Sequence, residues 1–119
     1  MKLKLSNKNA VHLADMMAAM GNEQRLNVMR LLLLSHPEGM VVGDIQAEVG
    51  IPNSTLSHHL EKLKIVGLVN VKRESQYLRY SANTDALQNL LAFLFDECCS
   101  RSHAIEPQSI ANLCKPDTD

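Results

Sequence analysis

Ser54, Ser57 and His58 have the side chains and the spacing to hydrogen-bond the edges of nucleic-acid bases. They sit within GIPNSTLSHHLEKLKIVGLV, residues 50–69. At about 100° per residue of a helix, Leu56, Leu60 and Leu63 form one apolar stripe, while Ser54, Ser57, His58 and Glu61 point the opposite way. Thr55, His59 and Lys62 fall on the flank. A solvent face of short hydrogen-bonding side chains, in place of the usual scatter of Glu and Lys, suits a helix that lies in the major groove. The candidate DNA-binding residues are Asn53, Ser54, Thr55, Ser57, His58, Lys62 and Lys64 on this helix, with Lys72, Arg73 and Arg79 beyond it. Ser54, Ser57 and His58 are expected to read bases, and the cations to hold phosphates. The alternative for Arg79 is a cross-strand pairing with Glu74. His59, nearer the stripe edge, reads as a packed or interhelical residue.

The second reactive set is Cys98, Cys99 and Cys114. Cys98 and Cys99 are neighbours, and adjacent α-carbons lie about 3.8 Å apart across a trans peptide, below the usual disulfide range. No bridge between them is expected. Leu87, Leu91, Leu94 and Cys98 share a helical stripe, so Cys98 also reads as a small core residue; Cys99 is one step off it. Residues 107–114 carry a short helical pattern that would place Ile110, Leu113 and Cys114 on one side. His12, His36 and His103 have no metal-ligand spacing, and Met16, Met17, Met20 and Met29 read as core filling rather than a copper site.

The elements that must position these residues are legible from their punctuation. Residues 9–20 form a Met- and Ala-rich helix with apolar positions Val11, Ala14, Met17 and Ala18. Asn22 can cap a second helix, which His36-Pro37-Glu38-Gly39 breaks. A short helix follows near residues 43–49, Gly50 can close it in a left-handed cap, Pro52 suits a first helical turn, and Gly67 can end the reading helix. Residues 69–74 and 77–82 alternate as a hairpin, and a long helix runs over about 84–100. That order gives the fold class: mainly α with a small β-hairpin, a winged helix-turn-helix, dimeric because a chain of 119 residues has room for one modest core. The expected division is a DNA-binding and dimerisation domain over 1–102 and a tail over 103–119 carrying Cys114. With no long apolar stretch and no secretory leader, the chain is expected to be cytoplasmic, without a membrane partner, and its thiols reduced.

The formal charge is −1, which argues against a generic polycation. Its distribution is uneven. Residues 53–80 hold five Lys and Arg against two Glu, a net of +3, whereas residues 81–119 hold two against six acids, a net of −4. A basic reading head is thus joined to an acidic end, and a dimer would double the positive patch.

The segments MGNEQRLNVMRLLL, DIQAEVGIPNSTLSHHLEKLKIVGLV and KRESQYLRYSA resemble the ArsR/SmtB family of metalloregulatory repressors over residues 10–101. The resemblance implies a homodimer, joined by its first and last helices, that occupies a palindromic double-stranded operator until a ligand releases it. Two sensor sites of that family have no counterpart here. Residues 40–44 are Met-Val-Val-Gly-Asp where one subset has Cys-x-Cys, and in the last helix, where another subset binds zinc through Asp and His, Asp85 is followed by Ala86 and Leu87 and no His is present. Cys98 and Cys99, with Cys114 fifteen residues on, resemble the arsenic-responsive subset, so the implied inducer is trivalent arsenic (arsenite or methylarsenite) or antimonite, with no organic cofactor. Soft thiolates select such soft centres. Chelation by adjacent helix residues, whose side chains diverge by about 100°, is expected to distort the helix end.

A redox-responsive repressor using the same thiols is the alternative. An enzyme is not expected, because neither a phosphate-binding loop, nor Cys-x-x-Cys, nor a nucleophile with its base is present in the sequence. A winged-helix module that binds a protein instead of DNA is the remaining reading.

Overall fold

The computed structural model describes residues 8–97. Cys98, Cys99, Cys114 and the tail expected over 103–119 lie outside the described residues. The elements are α1 (Lys8–Met20), α2 (Glu23–Leu34), β1 (Met40–Val41), α3 (Val42–Val49), α4 (Asn53–Ile65), β2 (Val69–Glu74), β3 (Tyr77–Ala82) and α5 (Thr84–Glu97). The chain divides into two compact units, Met1–Ala86 and Leu87–Asp119. The first holds α1 to α4, the sheet and the opening turn of α5. The described part of the second is the rest of α5, in which Leu90 is buried while Leu91, Phe93 and Leu94 are exposed.

Local chemistry sets the helix ends. Asn22 Oδ1 accepts from the Arg25 backbone N–H at 3.0 Å, so the expected cap of α2 is formed. Gly50 takes a left-handed φ of 68° and closes α3 onto the Gln46 carbonyl at 2.8 Å. At the exit of α4, the Leu68 N–H bonds the Leu63 carbonyl and the Gly67 N–H bonds the Lys64 carbonyl, both at 3.0 Å. With Gly67 at φ 81°, this is a Schellman closure. Asn83 then ties two elements together: its Nδ2 donates to the Gly67 carbonyl at 2.9 Å, and its Oδ1 accepts from Ala86 N–H at 3.2 Å and caps α5.

The sheet is larger than the expected hairpin. It has three strands in the order β1-β3-β2, and both pairings are antiparallel. Two residues, Met40 and Val41, make β1, too few for alternation to reveal in sequence. Gly39 brings them there, at φ 74°, where an added Cβ would overlap the Tyr80 carbonyl oxygen. The hairpin forms over the two segments expected, pairing from Val69 opposite Ala82 to Glu74 opposite Tyr77.

One core serves the first unit. Val28, Leu32, Ile45, Leu56, Leu63 and Leu68 are fully buried, and Met16, Met29 and Leu60 nearly so. Met16 and Met29 therefore fill core, as expected, but Met17 is exposed and Met20 half-buried. In α1 the buried positions are Leu13, Met16 and Ala19, a different face from the apolar positions noted in sequence. Val11, Ala14, Met17 and Ala18 are exposed.

A candidate nucleic-acid interface on the fourth helix

Helix α4 is held from behind by its leucines. Leu56, Leu60 and Leu63 recur at i, i+4, i+7, and at about 25 cal/mol per Å² their burial fixes which side of the helix faces inward. Asn53, Ser54, Ser57, His58, Lys62 and Lys64 are consequently exposed, and Thr55 is half-buried. Short side chains lie at the N-terminal end of this face, next to the tight α3–α4 turn at residues 50–52, where the Gln46 amide braces the Ile51 carbonyl at 3.0 Å. Lys62 and Lys64 fall in the last turn, where cations suit the negative end of the helix dipole. Hydrogen-bonding groups that can reach base edges thus lie at one end of α4, and long cations that can reach phosphates at the other.

The two histidines part company. His58 is exposed, whereas His59 is only 6% exposed, with ring Nε2 2.7 Å from Gln24 Oε1 and Nδ1 3.2 Å from an Arg25 terminal nitrogen. It is the interhelical residue that its place at the stripe edge predicts. Burial first, then the Arg25 guanidinium and His58, lower its pKa below the ordinary 6.5.

On the wing, Lys72 and Arg73 are exposed on β2. Arg79 stands opposite Lys72, an unfavourable like-charge pair, and Glu74 resolves it by accepting from Arg79 Nε at 2.8 Å. The same guanidinium donates to the Gly39 carbonyl at 3.3 Å, so Arg79 fastens β1 to the hairpin. Of the cations assigned to phosphates, Arg79 is the one whose charge is shared with a carboxylate. Its cross-strand partner is the one weighed in sequence.

Sequence reasoning missed Gln24 and Arg25. They precede His59 by 35 and 34 residues, so no local pattern joins them. Among the described residues, no group of three His, Cys, Asp or Glu side chains is placed to hold a metal ion. No described helix is long and apolar enough to cross a membrane.

A tight helix pair presenting a polar helix, followed by a basic three-stranded wing, defines a winged helix-turn-helix protein of the DNA-binding class. The comparisons narrow the class. A helix-turn-helix domain family matches residues 20–72, which run from the end of α1 into β2. The chain is 34% identical to the nodulation protein NolR of Rhizobium meliloti over 97 residues, 82% of this chain and 77% of that protein. It is 29% identical to the transcriptional activator HlyU of Vibrio cholerae over 83% of this chain and 89% of that one. To the putative arsenical resistance operon repressor ArsR2 of Halobacterium salinarum it is 33% identical, over 69% and 67% of the two chains. Among solved structures, NolR from Sinorhizobium fredii superposes with a TM-score of 0.61 at 33% identity, covering 80% of this chain and 95% of that one. A homodimeric winged helix-turn-helix domain from Mycobacterium bovis, described as a possible ArsR-family regulator, has the same fold, with a TM-score of 0.61, 24% identity, and 88% and 100% coverage. This chain belongs to the ArsR-like helix-turn-helix transcriptional regulators. Two of these relatives are named as regulators of transcription, an activator and a putative repressor.

Proposed function

We propose that the chain is a homodimeric repressor that holds a palindromic operator through α4 and its wing, and releases it when trivalent arsenic or antimony binds cysteine thiolates. The observation that carries the operator reading is the exposed face of α4. Ser54, Ser57 and His58 stand in the solvent directly behind three buried leucines, with Lys62 and Lys64 at the far end. Base edges are read by the short groups, and phosphates are held by Lys62, Lys64, Lys72 and Arg73.

Two exposed apolar faces support the dimer. Helix α1 leaves Val11, Ala14, Met17 and Ala18 uncovered, and α5 leaves Leu91, Phe93 and Leu94 uncovered. A lone exposed leucine needs no explanation, but runs along whole helix faces ask for a protein partner. A second copy also matches the two-fold symmetry of a palindrome with half-sites about one helical turn apart.

The inducer reading rests on thiol chemistry. Cys98 and Cys99 directly follow the last described residue of α5 in sequence, and one relative is named as a putative arsenical resistance operon repressor. Arsenite has three exchangeable positions and a methylated arsenical two, so Cys114 as a third ligand would distinguish them.

The deciding experiment titrates operator-bound protein, under full reduction, with arsenite, methylarsenite, antimonite and zinc. Release by the first three and not by zinc is expected, and C98S and C99S should keep the operator yet ignore the metalloids. Release that survives both substitutions removes the thiol reading. Release by peroxide and recovery with reductant, with no response to metalloids, replaces it with a redox switch.

A further inference from the structure

His59 is the one buried polar or charged side chain among the described residues, and it lies on the reading helix. Its two ring nitrogens make different demands. A guanidinium has only donors, so Nδ1, 3.2 Å from Arg25, must accept. Nε2 then carries the proton and donates to Gln24 Oε1 at 2.7 Å. Only the neutral Nε2–H tautomer satisfies both partners. A second proton on Nδ1 would set an N–H against the N–H groups of a cation.

Arg25 is not free to retreat. Its Nε donates to the Ala19 carbonyl near the end of α1 at 2.6 Å, and its backbone N–H is held by Asn22. The guanidinium therefore stands between α1 and α4. Two groups push against a positive charge on His59: Arg25 from α2, and His58 from its own helix, whose ring centroid is 6.2 Å away. From α1, Asp15 lines the groove that Arg25 and Lys62 also line. From β2, the exposed charged side chains are Lys72 and Arg73, both cations.

We propose that His59 is the positioning residue of the reading helix. With Gln24 and Arg25 it fixes the rotation of α4 against α2, and it does so only while Nδ1 is unprotonated, so sequence-specific DNA binding is lost on acidification while the protein is still folded. A small rotation of α4 misaligns Ser54, Ser57 and His58 against base edges, where hydrogen bonds are directional. Long lysines following phosphates tolerate the same rotation. Operator binding should therefore suffer more than binding to unrelated duplex.

The inference rests on the operator reading above, and one experiment separates the two. Affinity for the operator and for an unrelated duplex of equal length is measured at pH 7.5, 6.5 and 5.5 at constant ionic strength, with circular dichroism confirming the fold. In the parent, the operator preference should fall by about tenfold or more as the pH is lowered. H59Q cannot titrate at this position, so its preference should be lower at pH 7.5 but nearly level below it. R25M removes the opposing cation, and should move the midpoint of the pH profile upward. Nitrogen-15 NMR should find His59 as the Nε2–H tautomer at pH 7.5. Parallel profiles for H59Q and parent, an unmoved midpoint in R25M, or the opposite tautomer each overturn the positioning role. No operator preference in the parent at pH 7.5 instead overturns the operator reading, and the positioning role with it.

Discussion

Helices α1 and α4 are each 13 residues long and each bury one stripe in the same core. Leu13, Met16 and Ala19 anchor the first, and Leu56, Leu60 and Leu63 the second. They differ on the side that faces away. Helix α4 shows serines, a histidine and lysines to the solvent, whereas α1 shows Val11, Met17 and alanines. Burial explains why each helix is held in place, but only the outward face says what it is for. A polar face with short donors and acceptors suits nucleic acid, and an apolar one suits another protein surface.

The contrast is broken most forcefully from the inside. L60A removes a nearly fully buried side chain from beneath the reading face, and should cost about 2 to 5 kcal/mol in chemical denaturation. A loss under 1 kcal/mol would mean that the stripe does not anchor α4. On α1, M17K changes an exposed position and should leave the thermal midpoint of the monomer almost unchanged. If the outward face of α1 is a dimer seam, the same change should yield monomers in sedimentation and weaken operator binding by roughly a hundredfold, as the two heads cease to act together. An intact dimer would assign that face elsewhere.

Substitutions on the reading face should differ in kind. H58A should relax preference at one base position by about 1 to 3 kcal/mol, while K64A should weaken all sequences alike and flatten the salt slope by about one. Equal, sequence-independent losses from both would undo the division of α4 into a reading end and a phosphate end. Stability, too, should depend on pH through the flank of this helix. The folded-state pKa of His59 lies below the ordinary 6.5, so the unfolded chain takes up the proton first. Its contribution is fully present above pH 6.5 and is lost as the pH falls from there through the folded value. H59Q should flatten that limb of a denaturation series, and an unchanged limb would place the effect on another group.

The smallest effect is expected on the wing. R79A breaks a half-exposed ion pair with Glu74 and a bond to Gly39, and should cost up to about 1 kcal/mol of stability. Its effect on DNA affinity should be smaller than that of K72A or R73A. A larger one would show that the guanidinium leaves Glu74 for a phosphate.

Much of the fold was legible because its signals are local. A leucine spacing of i, i+4, i+7 fixes the inner side of α4, Asn22 caps its helix, Gly50 and Gly67 supply the left-handed turns, and alternation marks the two strands of the hairpin. Each depends on chemistry within one helical turn or one strand pair, which a sequence records directly. Tertiary structure decided what joins residues far apart. It chose Leu13, Met16 and Ala19 over the equally apolar Val11, Ala14 and Met17 as the buried side of α1. Both stripes have helical periodicity, and only the position of the core tells them apart. It added β1 to the sheet, bound Arg79 to Glu74 and Gly39, and brought Gln24 and Arg25 against His59. Periodicity says that a side chain turns inward, but its hydrogen-bond partner, and hence its protonation state, depends on which other element the fold lays against it.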